Sequence, residues 1–198
     1  MTWQRVDSLG KISLAIVPNE LDQAKYRQQI TSAAKDYVKI ANKEGYRYPF
    51  ASADGNFPWG SNSFVLNNML ISALAYDFNP KSSELLDLVE FGMDYLLGRN
   101  AMGQSYVTGY GERPLENPHH RFWSHQASVN FPKPPPGAVS GGPNSGLQDP
   151  YVKAAGLPGC APQKCFVDHI QAWSVNEITI NWNAPLFWVA AWLDEHSG

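Results

Sequence analysis

The sequence has little net charge, no long apolar run and no leader-like start. Its formal net charge is −3 over 198 residues, and lysine and arginine form no dense block. This balance gives no electrostatic reason to expect nucleic acid or an anionic membrane as a partner. No apolar run approaches the roughly 20 residues of a membrane-spanning helix, and no secretion signal follows Met1. We therefore expect a water-soluble chain with no membrane partner, and a neutral ligand.

Cysteine is scarce as well. Cys160 and Cys165 lie close together in a proline-containing loop, which permits a local disulfide in an oxidising compartment or two free thiols in a reducing one. We favour the disulfide. The residue types that bind zinc are these two cysteines with His119, His120, His125 and His169. Their spacing lacks the usual tight Cys-x-x-Cys pair, which argues against a zinc site.

What the chain has in quantity is apolar residues and aromatic rings. It is 43% hydrophobic, with seven tryptophans, nine tyrosines and nine phenylalanines. This is enough apolar material for a sizeable core, in one domain or in part of a larger one. The aromatic surplus is explained equally well by a sugar-stacking surface and by core packing.

Apolar periodicity predicts a helical chain interrupted by one long loop. The predicted helices cover residues 21–41, 63–78, 83–97 and about 183–194. The second helix is apolar on most of its circumference, so we expect protein on both of its sides. Residues 99–168 show little periodicity and much glycine and proline, which favours a functional loop. Four helices and this loop make a poor closed domain, so we expect a part of a larger helical domain.

Two segments carry residues suited to carbohydrate chemistry. FVDHIQAWSVNEITINWNA, residues 166–184, sets Asp168 and Glu177 among aromatic and amide side chains. SYVTGYGERPLENPHHR, residues 105–121, is punctuated by glycine and ends in two histidines and an arginine. Cleaving a glycosidic bond requires a protonated carboxyl beside the leaving oxygen and a second carboxylate, which activates water in an inverting enzyme. The two segments together predict glycan hydrolysis.

Glu177 is the better candidate for the acid. The apolar residues near it in sequence would favour its neutral form by desolvation, and they are Trp173, Ile178, Ile180 and Trp182. The spacing of Asp168 and Glu177 alone is also consistent with a helix-capping aspartate and a solvated glutamate.

The two segments resemble the signatures of glycoside hydrolase family 9, the inverting cellulases with an (α/α)6 barrel. The first signature resembles Ser105-Tyr106-Val107-Thr108, Gly111, Arg113 and Pro118-His119-His120-Arg121, and the second is the run from Phe166 to Ala184. Other family-like segments follow in family order: Trp59-Gly60-Ser61-Asn62, Tyr95-Leu96-Leu97-Gly98-Arg99-Asn100 and Gly141-Gly142-Pro143-Asn144.

The resemblance implies an all-α chain that forms part of an (α/α)6 barrel, with a long irregular active-site loop region. It also implies inverting hydrolysis of β-1,4-glucosidic bonds in cellulose or related β-glucans, whether polysaccharide or oligosaccharide. The implied site residues are Glu177 as the general acid, Asp168 and His119 beside it, and Arg121, His120, Trp59 and Trp182 as sugar-binding residues. Core packing is the alternative role for both tryptophans.

The chain departs from the family in lacking the Asp-x-x-Asp motif that carries the catalytic base. We therefore expect residues 1–198 to be the C-terminal portion of the catalytic domain, with the base in a missing N-terminal half or a second chain. Ser63 and Phe64 also replace an arginine and a tyrosine found in many members. An endo-acting enzyme is favoured, with a non-catalytic glucan-binding fragment and an exo-acting cellobiohydrolase or glucosidase as alternatives.

The family resemblance implies no cofactor for the chemistry and a secreted, extracellular enzyme. Structural calcium occurs in family members, but acidic loops for it are not recognisable in this sequence. Asp149, in a glycine-rich stretch with carbonyl groups nearby, is a weak candidate for a cation ligand.

Overall fold

The computed structural model describes residues 1–2, 4–52 and 54–196. This part of the chain contains α1 Asp7–Ile16, α2 Gln23–Ala41, α3 Ser61–Phe78, α4 Ser83–Leu96, α5 Pro150–Ala154, α6 Trp173–Asn176 and α7 Ile180–His196, with a short 3₁₀ helix at Pro162–Lys164. Its β pairing consists of isolated bridges. None of its helices is both long and apolar enough to cross a membrane.

The chain divides into two compact units. The first unit comprises Met1–Phe50, Phe64–Gly92 and Phe187–Gly198, and the second comprises Ala51–Ser63 and Met93–Leu186. The residues that the sequence singled out as chemical, from Trp59 to Trp182, all belong to the second unit.

Helix packing builds the first unit. α1 packs against α2. Asp22, the residue before α2, accepts a hydrogen bond on its side chain from the Lys25 N–H at 3.0 Å and so caps an otherwise unpaired backbone donor. Apolar side chains from successive turns then face one interior. The buried cluster consists of Ala15, Ile30, Ala34, Ile71, Leu74, Ala75 and Leu85.

The four predicted helices are confirmed as α2, α3, α4 and α7. Val65, Leu66 and Met69 on α3 are fully buried, as an apolar circumference predicts. α7 begins at Ile180 rather than Asn183, ahead of Pro185 within the helix. The sequence analysis did not predict α1, on which Leu9 and Ile16 lie exposed.

In the second unit, buried side chains bind the backbone at several points. Asn100 Nδ2 donates to the carbonyls of Tyr95 and Gln104 at 2.7 and 2.9 Å. Asn62 Nδ2 donates to the Ser140 carbonyl at 3.0 Å. Such bonds satisfy a backbone that has no helix or sheet ladder. The aperiodic stretch of residues 99–168 is therefore folded, with α5 and the 3₁₀ helix inside it.

The two cysteines of this unit are bonded to each other. A disulfide joins Cys160 to Cys165, which confirms the favoured alternative of the sequence analysis. It also removes both thiolates from any zinc site.

Candidate active site

The two motif segments lie side by side in the second unit. His119 N–H donates to the Asn176 carbonyl at 2.8 Å, and His119 and Glu177 form a parallel bridge. The Glu177 carbonyl accepts from Gly141 N–H at 3.0 Å. Backbone pairing thus brings the histidine segment, the glutamate segment and the glycine pair at residues 141–142 together around Glu177.

The Glu177 side chain is half-buried. Within the described residues its carboxylate makes no hydrogen bond or ion pair, so both oxygens are available to a ligand. The predicted apolar surroundings are only partly formed, because the Ile180 side chain is 90% exposed. Ile180 is the first residue of α7 and faces solvent. The prediction that it helps to bury Glu177 is therefore wrong.

Asp168 fixes the loop that carries His119. Its Oδ2 accepts from the Glu116 N–H at 2.8 Å and its Oδ1 from the Asn117 N–H at 2.9 Å. The Asn176 amide donates to Asp168 Oδ1 at 3.1 Å and to the Asn117 carbonyl at 2.6 Å. With three donors on one carboxylate, Asp168 is suited to positioning the loop before His119.

One ring nitrogen of His119 has a fixed partner. Its Nδ1 lies 2.6 Å from the Ile170 carbonyl oxygen. A carbonyl only accepts, so Nδ1 carries the proton, and Nε2 of the neutral ring is an acceptor. This orientation suits the Nε2 to a hydroxyl donor.

His120 shapes the turn that follows it. Its Nδ1 accepts from the N–H groups of Phe122 and Trp123 at 3.2 and 3.0 Å, and its ring stacks on Trp123 with centroids 4.2 Å apart. Burial lowers the pKa of His120 below its ordinary value, and neighbouring His119 lowers it further. Arg121, the residue after His120, is exposed, and its guanidinium makes no hydrogen bond or ion pair to any described residue.

These histidines and the arginine open onto a cleft of about 980 Å³ in the second unit, where Tyr151, His169 and Trp173 also lie. Trp173 contacts Trp59, with ring centroids 5.1 Å apart at 38°, and Trp59 is 36% exposed. Trp59 is thus placed to offer part of its ring to a ligand.

Trp182 packs in the core, which is the alternative to sugar stacking that the sequence left open. Its side chain is 6% exposed, and its ring packs so close to Gly60 and Gly141 that a Cβ on Gly60 would lie 2.7 Å away. The predicted sugar stacking by Trp182 is therefore replaced by core packing. The sequence motif gives no sign of which face of α7 a tryptophan occupies.

Asp149 is not a cation ligand. It is fully buried, with Oδ1 accepting from Val152 N–H at 2.8 Å and Oδ2 from Ser174 N–H and Oγ at 2.9 and 2.5 Å. These bonds cap α5 and tie it to α6. Over residues 1–2, 4–52 and 54–196, no group of three or more histidine, cysteine, aspartate or glutamate side chains is placed to hold a metal ion.

The rings of Tyr151 and His169 stack at 4.0 Å and 6° at the cleft. The sequence analysis did not single out Tyr151, and it named His169 only among the residue types that bind zinc. Tyr151 lies in the aperiodic stretch, where no pattern separated it from other aromatic residues. His169 directly follows Asp168, and that adjacency was the available signal.

Comparison with known proteins gives the same assignment across the chain. The sequence profile described as glycosyl hydrolase family 9 matches residues 1–190. A cellulose 1,4-beta-cellobiosidase of Acetivibrio thermocellus is 52% identical over 98% of this chain, and endoglucanase C of Cellulomonas fimi is 44% identical over 96%. The chain spans only 22% and 18% of the lengths of these two relatives.

The structure also resembles a solved one. A crystal structure of a thermostable endoglucanase from Alicyclobacillus acidocaldarius superposes with a TM-score of 0.79 and 31% identity, over 93% of this chain and 35% of that one. The predicted all-α class, as part of an (α/α)6 barrel, is confirmed. With a family profile that covers nearly all of its residues, the chain belongs to glycosyl hydrolase family 9.

Proposed function

We propose that this chain supplies the general acid and part of the sugar-binding surface of an inverting β-1,4-glucan hydrolase. The observation that carries the proposal is the Glu177 carboxylate, half-buried and without a protein partner among the described residues. It is held by backbone pairing next to His119, which lines the cleft. The cellobiosidase and endoglucanase names of the relatives support β-1,4-glucan as the substrate class.

In the proposed reaction, protonated Glu177 donates its proton to the glycosidic oxygen as the bond from that oxygen to the anomeric carbon breaks. A water molecule attacks the anomeric carbon from the opposite face and loses its proton to a second carboxylate, about 6.5–9.5 Å from the first in inverting enzymes. No cofactor takes part. The products are two sugar chains, with the new anomeric hydroxyl inverted.

We propose that the second carboxylate comes from outside these 198 residues. The family's Asp-x-x-Asp motif does not occur in the sequence. Asp168, the other motif carboxylate, is committed to two backbone N–H groups and the Asn176 amide. An oxygen that already accepts these bonds is poorly suited to take a proton from water, so Asp168 acts by holding the His119 loop.

The remaining residues bind sugar. His119 Nε2 accepts from a sugar hydroxyl, and the Arg121 guanidinium donates to hydroxyls beside the scissile bond. His120 keeps the Arg121 turn in shape and presents its ring edge to the cleft. Trp59, supported by Trp173, stacks on the apolar face of a glucose ring.

We propose endo-acting cleavage by an extracellular enzyme. The Cys160–Cys165 disulfide is typical of an oxidising compartment, and polymeric β-1,4-glucan such as cellulose lies outside the cells that digest it. Exo-acting release of cellobiose is a second candidate, because the relative at 52% identity is named a cellobiosidase. Falling viscosity of carboxymethyl-cellulose early in the reaction indicates endo action, whereas sugar release at constant viscosity indicates exo action.

The acid role is tested by Glu177→Gln in the full-length natural protein. Glutamine cannot donate the proton, so turnover of cellulose should fall by about 10²-fold or more. An aryl glycoside with an acidic phenol as its leaving group should lose much less, because that group departs without protonation. The measurement is kcat on both substrates, with Glu112→Gln, an exposed glutamate of the other motif, as the matched control.

Near-normal cellulose turnover by Glu177→Gln would refute the acid assignment, and an equal loss on both substrates would refute the proton-donor role. A wild-type protein that binds glucan but releases no reducing sugar would instead establish the non-catalytic alternative.

A further inference from the structure

Two rings in the cleft have no part in the reaction described above. Tyr151 and His169 stack face to face, with centroids 4.0 Å apart and planes within 6°. Both side chains are half-buried and both line the cleft that His119, His120 and Arg121 open onto. The Tyr151 hydroxyl makes no hydrogen bond to a described residue.

The supports behind this pair are rigid. Tyr151 lies on α5, which is capped by buried Asp149, and Asp149 also holds Ser174. His169 Nδ1 accepts from the Gln171 N–H at 3.2 Å, so the neutral ring carries its proton on Nε2. Because both rings are held before a ligand arrives, little conformational freedom is lost when one binds.

The backbone links the pair to the reacting end of the cleft. Ile170, the residue after His169, receives the His119 Nδ1–H on its carbonyl at 2.6 Å. Its own N–H donates to Gln126 Oε1 at 2.8 Å. The Gln126 amide NH₂ makes no hydrogen bond to any described residue, and Gln126 lines the cleft. His169 of the pair is thus directly followed by the residue that holds the His119 ring.

The cleft wall offers the groups that bind a sugar ring. Its described lining contains no aspartate or glutamate, which removes the usual recognition of a cation. It offers stacked aromatic rings together with a donor at His169 Nε2, a donor and acceptor at the Tyr151 hydroxyl, and the amides of Gln126 and Gln171. Apolar surface edged by directional polar groups matches a pyranose ring, which has apolar faces and a rim of hydroxyls.

We propose that the Tyr151–His169 pair is a glucosyl-binding platform, which forms a separate subsite that holds one sugar unit of a β-1,4-glucan away from the scissile bond. The proposal rests on the proposed function, because it assumes that the cleft binds glucan. The pair touches substrate but takes no part in proton transfer, so its effect is on affinity and on chain-length preference.

The test measures binding in the full-length protein carrying Glu177→Gln, so that the ligands are not consumed. Calorimetric titration with each cello-oligosaccharide from the disaccharide to the hexasaccharide gives affinity against chain length. In this parent, affinity should rise in a step at the length that reaches the platform. Adding Tyr151→Ala should remove that step and weaken binding of longer chains about tenfold, the scale of losing one well-packed aromatic contact.

Three companion variants separate the platform from a structural role. Tyr151→Phe keeps the ring and should stay within about twofold of the parent, a difference too small to count as a lost contact. His169→Ala should reproduce the Tyr151→Ala result, which keeps the proposal testable if one variant folds poorly. Tyr110→Ala removes an exposed tyrosine that does not line the cleft. It should leave the affinity unchanged at every chain length.

Unchanged affinities in both alanine variants, or a loss of the same factor at every length, would overturn the platform and leave the proposed function standing. Absence of any oligosaccharide binding by the Glu177→Gln parent would overturn both. Loss confined to the longer chains supports the platform.

Discussion

The two units of this chain are stabilised by different chemistry. Among the described residues, the fully buried polar side chains lie almost all in the second unit, and only Ser72 belongs to the first. The first unit instead buries a cluster of alanine, isoleucine and leucine between helices. Apolar burial is non-directional and tolerates small shifts, whereas buried hydrogen bonds require each partner in place.

The buried hydrogen bonds of the second unit suit the proposed site that this unit carries. The proposed site needs Glu177, His119 and Arg121 in one geometry, and a backbone fixed by directional bonds can provide it. The second unit supplies these through Asp168, Asn176 and buried asparagines, and it does so with little regular secondary structure. The comparison predicts that the first unit is most sensitive to lost volume and the second to lost hydrogen-bond partners.

The largest stability effect is expected from Leu74→Ala in the first unit. Leu74 is 5% exposed within the buried cluster, so its truncation loses apolar burial and leaves a cavity, at a cost of about 3 kcal/mol. Urea unfolding measures the change. Leu9→Ala, at a 53% exposed leucine of the same unit, is the matched control and should cost less than about 0.5 kcal/mol. Equal losses at the two leucines would refute the apolar-core description.

A somewhat smaller effect is expected from Asp149→Ala in the second unit. The change leaves the Val152 and Ser174 N–H groups and the Ser174 hydroxyl without their acceptor in the interior, at a cost of about 2 kcal/mol. Urea unfolding again gives the number. Asp54→Ala serves as the control, because Asp54 is exposed and its bonds to Ser52 and Asn56 are local.

Little loss of stability in Asp149→Ala would break the comparison, since it would mean that the second unit does not depend on its buried polar partners. Because Asp149 also supports α5, the same variant should weaken the Tyr151–His169 stack, which the chain-length titration detects independently.

The same division explains what the sequence could predict. α2 was predictable because burial of one helix face leaves apolar residues at helical spacing, and α3 because its long apolar stretch contains no glycine or proline. α1 spans only ten residues and was not predicted. Most of the sequence of the second unit lacks apolar periodicity. Only the family signatures predicted that His119 and Glu177 belong to one site. The partners of Asp168 lie 52 and 51 residues away in sequence, and no local pattern encodes such a pairing.

Residue type alone also failed to separate aromatic roles. Trp59 and Trp182 both stand in family-like segments, yet one is 36% exposed and the other 6%. The distinction depends on packing against Gly60 and Gly141, which is a long-range property. The stacking of Tyr151 on His169 was missed for the same reason, since it joins residues from different segments.

The smallest expected effect is a pH dependence that originates at His120. Its pKa in the folded chain lies below its ordinary value, because burial and the nearby His119 disfavour the charged form. The unfolded chain therefore takes up this proton first as the pH falls. The stability contributed by neutral His120 is fully present above the unfolded pKa of about 6.5, and it declines as the pH falls from there through the lower folded pKa.

His120→Asn keeps an oxygen that can accept from the Phe122 and Trp123 N–H groups, but it does not titrate. Urea unfolding at about pH 7.5 and about pH 5.5, on either side of the ordinary histidine pKa, should show a smaller loss of stability on acidification in the variant than in the wild type. Parallel pH curves would show that protonating His120 does not oppose the turn. The hydrogen bonds that His120 Nδ1 accepts would then contribute little to stability. The turn that carries Arg121 would be an exception to the dependence of the second unit on polar bonds.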